Sequence, residues 1–288
     1  MTGTSGPNVA SGPDEAGGAN RLNGVNGLSG PTGRLAISDL TVSFGSHRVV
    51  SITKLELDHA EIVGLAGESG SGKSMTTMAI LGLARTVGAT VSGSIKLDGQ
   101  ELTGLSAEDL RQIRGRRIAA IFQSPSTAFS PVYRVGTIVT KALRLHGADK
   151  SEAADRAAEA MRQVLLSPDL LRRYPSQLSG GQLQRVAIAL ALALRAEILL
   201  ADEPTSALDV TVQAEVLDLL RDLRESTGMS ILFISHDLAV VAELCDRVAV
   251  MRGGMIVEQG PADQVLSTPT HPYTVELLDS VPKLASAT

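Results

Sequence analysis

Five apolar residues, Ile62-Val63-Gly64-Leu65-Ala66, run without a break into Gly67-Glu68-Ser69-Gly70-Ser71-Gly72-Lys73-Ser74. The first run has the length and composition of a buried strand, and the residues from Ser74 onward read as a helix. A strand that turns through a glycine-rich loop into a helix is the context in which backbone N–H groups and a helix N-terminus converge on phosphate oxygens. Gly67, Gly70 and Gly72 let those N–H groups face inward. Lys73 is then placed to reach the β- and γ-phosphates, and the Ser74 hydroxyl is suited to Mg2+. This segment commits the chain to a strand–loop–helix unit and so to an α/β architecture.

The flanking sequence agrees. Leu35–Phe44 and residues 49–57 read as strands ahead of the loop. Gly93-Ser94-Ile95-Lys96-Leu97 with the Asp98-Gly99 turn reads as a β-rich edge. After Gln123 the character turns helical, over 135–145 and 151–166, with Ala153, Ala157, Ala160, Met161, Val164 and Leu165 on roughly one side. This helical insertion is expected to end at Pro175. Beyond it come a helix over 183–194, a buried strand over 198–201, a helix over 212–224 and a buried strand over 230–235. Such alternation implies a mostly parallel sheet covered on both faces. Residues 1 to about 33 carry almost no large apolar side chains, and disorder is expected there.

Bulk composition excludes more than it identifies. A net charge of -5 gives no general attraction to nucleic acid or anionic lipid. The single cysteine, Cys245, excludes an internal disulfide and fits a reducing compartment. The longest apolar run, 186–194, has 9 residues, whereas a spanning helix needs roughly 20. The N-terminus lacks the pattern of a secretory signal. The chain is expected neither to span a membrane nor to be exported.

Asp202 and Glu203 close the apolar run Ile198-Leu199-Leu200-Ala201. Two carboxylates at a strand end often form only a solvated loop. Beside a phosphate loop they acquire distinct uses: Asp202 to hold Mg2+ through water, Glu203 to accept a proton from an attacking water.

Between these halves lies Tyr174-Pro175-Ser176-Gln177-Leu178-Ser179-Gly180-Gly181-Gln182, which resembles the signature of ATP-binding-cassette (ABC) ATPases. The resemblance covers nearly everything from Leu35 to Pro282. It implies an ABC cassette over 34–268 with a RecA-like, mostly parallel core, an antiparallel β edge subdomain and a helical signature subdomain at about 124–182. A short C-terminal segment, 269–288, follows. It also implies residue roles. Gln123 is similar to the glutamine that touches Mg2+ and couples to the transmembrane partner, alongside Ser74 and Asp202. His236 resembles the switch histidine at the γ-phosphate, and Glu203 the catalytic carboxylate. Asp209, in Ser206-Ala207-Leu208-Asp209, resembles the loop that crosses the dimer interface. Phe44, 23 residues before Gly67, occupies the place of the aromatic that stacks on adenine, with a buried strand residue as its second reading. Met75 completes the ATP-binding set of Gly67 to Ser74. Leu178, Ser179, Gly180, Gly181 and Gln182 are implied to act on ATP bound by an opposing subunit, so that two chains sandwich two ATPs.

Three phrases are similar to one branch, the oligopeptide, dipeptide and nickel importers: Tyr174-Pro175-Ser176-Gln177, Thr205-Ser206-Ala207-Leu208-Asp209-Val210-Thr211-Val212-Gln213-Ala214 and His271-Pro272-Tyr273-Thr274. Met75 favours the D-type member of that branch's paired ATPases. The resemblance implies a related F-type ATPase chain as partner, two transmembrane permeases and an extracytoplasmic substrate-binding protein. It places the chain at the cytoplasmic face of the membrane, with ATP and Mg2+ as ligands and no nucleic acid. Because the C-terminal extension lacks cysteines, no iron–sulfur cluster is expected. Peptide is the first reading of the cargo. A nickel or metal-chelate importer, an exporter, and a soluble ABC ATPase acting on nucleic acid or ribosomes stand as alternatives.

Overall fold

The computed structural model describes residues 33–123, 128–206 and 208–280. The expected disorder of 1–33 falls outside them apart from Gly33, as do Ser124, Pro125, Ala207 and Pro282 of the motifs above.

The edge strands form a four-stranded antiparallel sheet of order β2-β1-β4-β5, from β1 (Leu35–Phe44), β2 (His47–Leu57), β4 (Thr90–Leu97) and β5 (Gln100–Glu101). The second sheet has six strands in the order β10-β9-β3-β8-β7-β6. They are β3 (Ile62–Ala66), β6 (Ile118–Ile121), β7 (Ile198–Asp202), β8 (Ser230–Ser235), β9 (Arg247–Arg252) and β10 (Met255–Pro261). All its pairings are parallel except β9 with β10.

Every residue of β3, β7 and β8 is buried, as unbroken apolar runs require when both faces of a sheet are covered. Their side chains alternate between two cores. Val63, Leu65, Leu200 and Ile234 join the antiparallel sheet's Leu35, Ile37 and Val42. Ile62, Leu199, Ala201 and Phe233 join the helices on the other face, through residues such as Val186, Val216 and Leu220.

The helices are α1 (Lys73–Ile80), α2 (Ala107–Ile113), α3 (Val135–Leu145), α4 (Lys150–Gln163), α5 (Gly180–Leu194), α6 (Val210–Thr227), α7 (Leu238–Leu244), α8 (Ala262–Ser267) and α9 (Pro272–Asp279). In the insertion, α3 and α4 pack on each other and on α5. Two expectations need correction. The helix expected over 151–166 ends at Gln163, because Leu165 takes a left-handed φ of 58°. The Leu166 N–H closes the turn on Met161 O at 2.9 Å. Leu165 therefore points away from the apolar stripe, 78% exposed. The helix expected from residue 183 begins at Gly180 instead, because Ser179 caps it (see below). The glycines of the signature are thus helical residues.

Register brings the chemistry together. Ala66 pairs with Ser235 and Asp202 with Ile234, so β3, β7 and β8 end side by side. Their C-terminal ends deliver the phosphate loop, Glu203 and His236 to one edge of the sheet, where ligands of open α/β sheets bind.

The antiparallel sheet carries its own fastening. Glu101 accepts hydrogen bonds from the Ser94 hydroxyl, the Ile95 N–H, and the Thr103 N–H and hydroxyl. Burial alone would raise its carboxyl, but these donors outweigh it and bring it from 4.5 to about 2. With the folded-state value depressed, this stabilisation is complete above pH 4.5 and is lost as pH falls toward 2. Glu101→Gln is expected to cost about 1–2 kcal/mol at neutral pH, allowing for solvent screening. Urea melts should show the deficit at pH 7 and its disappearance in strong acid.

Candidate active site

The loop after β3 is shaped by close backbone approach. Gly67 has φ 149°, and a Cβ there would lie 2.2 Å from Met251 O of β9. Only glycine fits. Gly67→Ala is expected to cost roughly 2–4 kcal/mol through strain and overpacking, which differential scanning calorimetry would show as a drop of about 5–10 °C in Tm.

The loop wraps Lys73. Its Nζ donates to Gly67 O and Glu68 O, each at 2.7 Å, with Ser71 Oγ at 3.4 Å. Only 5% of Lys73 is exposed. Burial pulls its pKa down, and the nearby carboxylates of Glu203, Asp202 and Glu68 act in the opposite direction. The ammonium is held by loop carbonyls at the first turn of α1, and a cation beside a helix N-terminus is an arrangement suited to phosphate.

A cavity of about 620 Å3 opens over this loop. Glu68, Ser69, Gly70, Gly72, Lys73, Ser74 and Met75 form one side, and Gln123, Glu203 and His236 another. The last three touch: Glu203 Oε2 accepts from Gln123 Nε2 at 2.9 Å, and Glu203 Oε1 lies 3.0 Å from His236 Nδ1. Glu203 has a left-handed φ of 49°, a conformation that costs of order 1–3 kcal/mol for a residue other than glycine. Its backbone is pinned there. The N–H donates to Ile234 O at 2.9 Å, and its carbonyl accepts from the Ser206 N–H and hydroxyl at 3.3 and 3.1 Å. This bend turns the carboxylate out of the sheet toward Gln123 and His236.

Asp202 behaves differently from its neighbour. It is 4% exposed, and its Oδ1 has no hydrogen-bond partner among the described residues. Burial drives its pKa up, with Glu203 acting the same way, while the Ser74 hydroxyl and the Lys73 ammonium pull it down. A buried carboxylate oxygen without a donor, next to a hydroxyl, fits a hydrated hard cation.

The remaining sequence-derived residues lie elsewhere. None of Leu178, Ser179, Gly180, Gly181 and Gln182 lines this cavity. Ser179 caps α5 through a reciprocal pair: its Oγ accepts from Gln182 N at 3.2 Å, and Gln182 Oε1 accepts from Ser179 N at 3.0 Å. Gly181 has Val212 against it, with Cγ1 2.4 Å from where a Cβ would stand. Asp209 caps α6, accepting from Val212 N at 3.0 Å. Phe44 is half-buried at the end of β1 and packs on the core beneath the antiparallel sheet. The cavity is instead lined there by Val49, and by Leu277 and Ser280 at the C-terminal end of the described chain. Sequence reasoning missed all three, since nothing in the local pattern marks them as facing a site.

Residues 50–206 match the ABC transporter family, and residues 257–288 match the C-terminal region of oligopeptide/dipeptide transporters. The chain belongs to the ABC transporter family. A Brucella abortus (strain 2308) protein assigned as a peptide import ATP-binding protein is 45% identical over 258 residues, covering 87% of this chain and 77% of that one. A Sinorhizobium fredii protein assigned as a peptide ABC transporter ATP-binding protein is 45% identical over 239 residues, covering 82% and 71%. Among solved structures, cbiO1 of Clostridium perfringens, part of the ABC transporter complex cbiONQ, superposes with a TM-score of 0.72 at 25% identity, covering 83% and 92%. The dimeric ATP-binding cassette MJ0796 in a post-hydrolysis state bound to ADP and Pi gives 0.68 at 28%, covering 79% and 98%. This ABC transporter ATPase thus has the antiparallel and mostly parallel sheets of its family. Among the described residues no helix is long and apolar enough to cross a membrane.

Proposed function

We propose that this ABC transporter ATPase powers an importer of di- and oligopeptides, working at the cytoplasmic face of the membrane. The observation that carries the cargo is the match of residues 257–288 to the oligopeptide/dipeptide transporter C-terminal region. Relatives assigned to peptide import at 45% identity support it.

In this reading the N–H groups of Ser69, Gly70, Gly72 and Lys73 and the Lys73 ammonium bind the triphosphate, the Glu68 and Ser71 N–H groups being bonded within the protein. Ser74, Asp202 and Gln123 would hold Mg2+, which when bound would neutralise phosphate charge. Glu203 orients the attacking water and accepts its proton. Its carboxylate is already held by Gln123 and His236, and one of its oxygens turns to the water while His236 faces the γ-phosphate. Met75 and Val49, which both line the cavity, contribute the base-proximal side, and Phe44 takes its second reading as a strand residue packed on the core.

Ser179 and Gly181 lie outside the chain's own cavity, which accords with their acting in an opposing subunit. There the Ser179 hydroxyl and the N-terminus of α5 meet the γ-phosphate, and Asp209 crosses the same interface. Loss of the γ-phosphate removes those contacts and opens the sandwich. The cassette spans 34–268 with its helical subdomain at about 124–182. The opposing subunit is a related ATPase chain, and the assembly includes two permeases and a substrate-binding protein.

Affinity isolation of the tagged chain from solubilised native membranes, with mass spectrometry of every co-purifying protein, tests the assembly. Two multi-span proteins, a second ATPase and a peptide-binding capture protein are expected. Ribosomal proteins or DNA-bound partners without any membrane protein would overturn the transporter reading, and a metal-chelate-binding capture protein would overturn the cargo.

A further inference from the structure

The trans peptide between Gly67 and Glu68 presents its carbonyl and its N–H on opposite sides. On one side Gly67 O accepts from Lys73 Nζ at 2.7 Å. On the other, Glu68 N donates to the Tyr273 hydroxyl at 3.1 Å, across 205 residues of sequence. One peptide unit of the phosphate loop is therefore clamped between the phosphate-binding lysine and a tyrosine of α9.

The tyrosine is itself rigidly held. It is 1% exposed, and the Arg252 guanidinium lies 4.5 Å from its ring centroid. His271 Nδ1 accepts from Tyr273 N at 3.2 Å. The start of α9 is anchored to β10, where the Glu258 carboxylate accepts from Thr270 N at 2.7 Å and His271 N at 3.2 Å. The same helix sends Leu277 and its capping residue Ser280 to the nucleotide cavity. A hydroxyl delivered with this many constraints fixes the orientation of whatever it bonds.

From these contacts we infer that Tyr273 is a positioning residue for the phosphate loop, and that α9 is mechanically coupled through it to nucleotide binding at Lys73. The inference rests on the reading of the loop as the nucleotide site. Without the hydroxyl the Gly67–Glu68 peptide can rock, and the Lys73 ammonium that it holds loses its fixed place.

The test uses the full-length chain and Mg·ADP, by isothermal titration calorimetry and thermal melting. Tyr273→Phe keeps the ring and its packing under Arg252. It is expected to weaken Mg·ADP by about three- to tenfold, the effect of one hydrogen bond, while the ligand-free Tm stays within about 2 °C. Unchanged affinity in a folded Tyr273→Phe protein would overturn the inference, as would a loss of ligand-free stability large enough to account for the weaker binding. Should that variant fail to fold, Arg252→Met leaves the hydroxyl but removes the cation that holds the ring. A loss of about two- to fivefold is then expected, and unchanged affinity overturns the coupling. Lys73→Ala separates the two levels. If it still binds Mg·ADP normally, the nucleotide-site reading falls and the brace with it; if it loses binding while Tyr273→Phe does not, the brace alone falls.

Discussion

Glu203→Gln is expected to lower ATP turnover by about 10²- to 10⁴-fold, the usual contribution of a positioned base. Glutamine has nearly the shape of glutamate and can keep contacts to Gln123 and His236, now 2.9 and 3.0 Å from the carboxylate. It cannot take a proton from water. Nucleotide binding should persist or tighten, because the substitution removes a negative charge from the cavity proposed to receive the triphosphate. Turnover should thus fail at the chemical step with ATP retained. Rapid-quench analysis of bound nucleotide checks this: ATP should remain in the mutant over times at which the wild type has formed ADP. Hydrolysis at the wild-type rate would remove Glu203 from the role of base.

Lys73→Ala is expected to fail earlier, at binding. The ammonium is buried and held by two loop carbonyls at 2.7 Å, so it meets a phosphate without further ordering. Deleting one partner of a buried charge pair costs about 3–5 kcal/mol, which corresponds to a loss of roughly 10²- to 5 × 10³-fold in affinity. Gln123, Glu203 and His236 would remain in contact, since none of their mutual bonds involves Lys73. Equilibrium titration with a fluorescent ATP analogue distinguishes the cases: lost binding in the lysine variant, preserved binding in the glutamate variant.

Much of this site was legible because its parts are local. A strand, a glycine loop and a helix N-terminus occupy consecutive residues, and the buried strands announce themselves by apolar runs. The parallel sheet then brings loop, Glu203 and His236 together, since β3, β7 and β8 end in register. What could not be read was set either by local backbone turns and caps that an apolar pattern does not mark or by contacts distant in sequence. Leu165 leaves its helix because a left-handed turn intervenes, which an apolar stripe does not reveal. Gly180 to Gln182 belong to α5 because Ser179 and Gln182 cap each other, a pairing visible in the sequence only once the helix start is known. His271-Pro272-Tyr273-Thr274 was identifiable by likeness alone. Its physical reason, a hydrogen bond from Glu68 N–H to the Tyr273 hydroxyl, spans most of the chain. Val49, Leu277 and Ser280 face the cavity for equally non-local reasons.

In the proposed transporter, hydrolysis at Glu203 drives peptide uptake. This coupling is tested most directly with inside-out-free, right-side-out membrane vesicles loaded with ATP, comparing cells that carry the wild-type chain with cells that carry Glu203→Gln. A labelled dipeptide or oligopeptide is expected to accumulate in wild-type vesicles and not in those of the variant. Peptide accumulation undiminished by Glu203→Gln, or ATP-dependent uptake of a nickel chelate with no peptide uptake, would contradict that coupling.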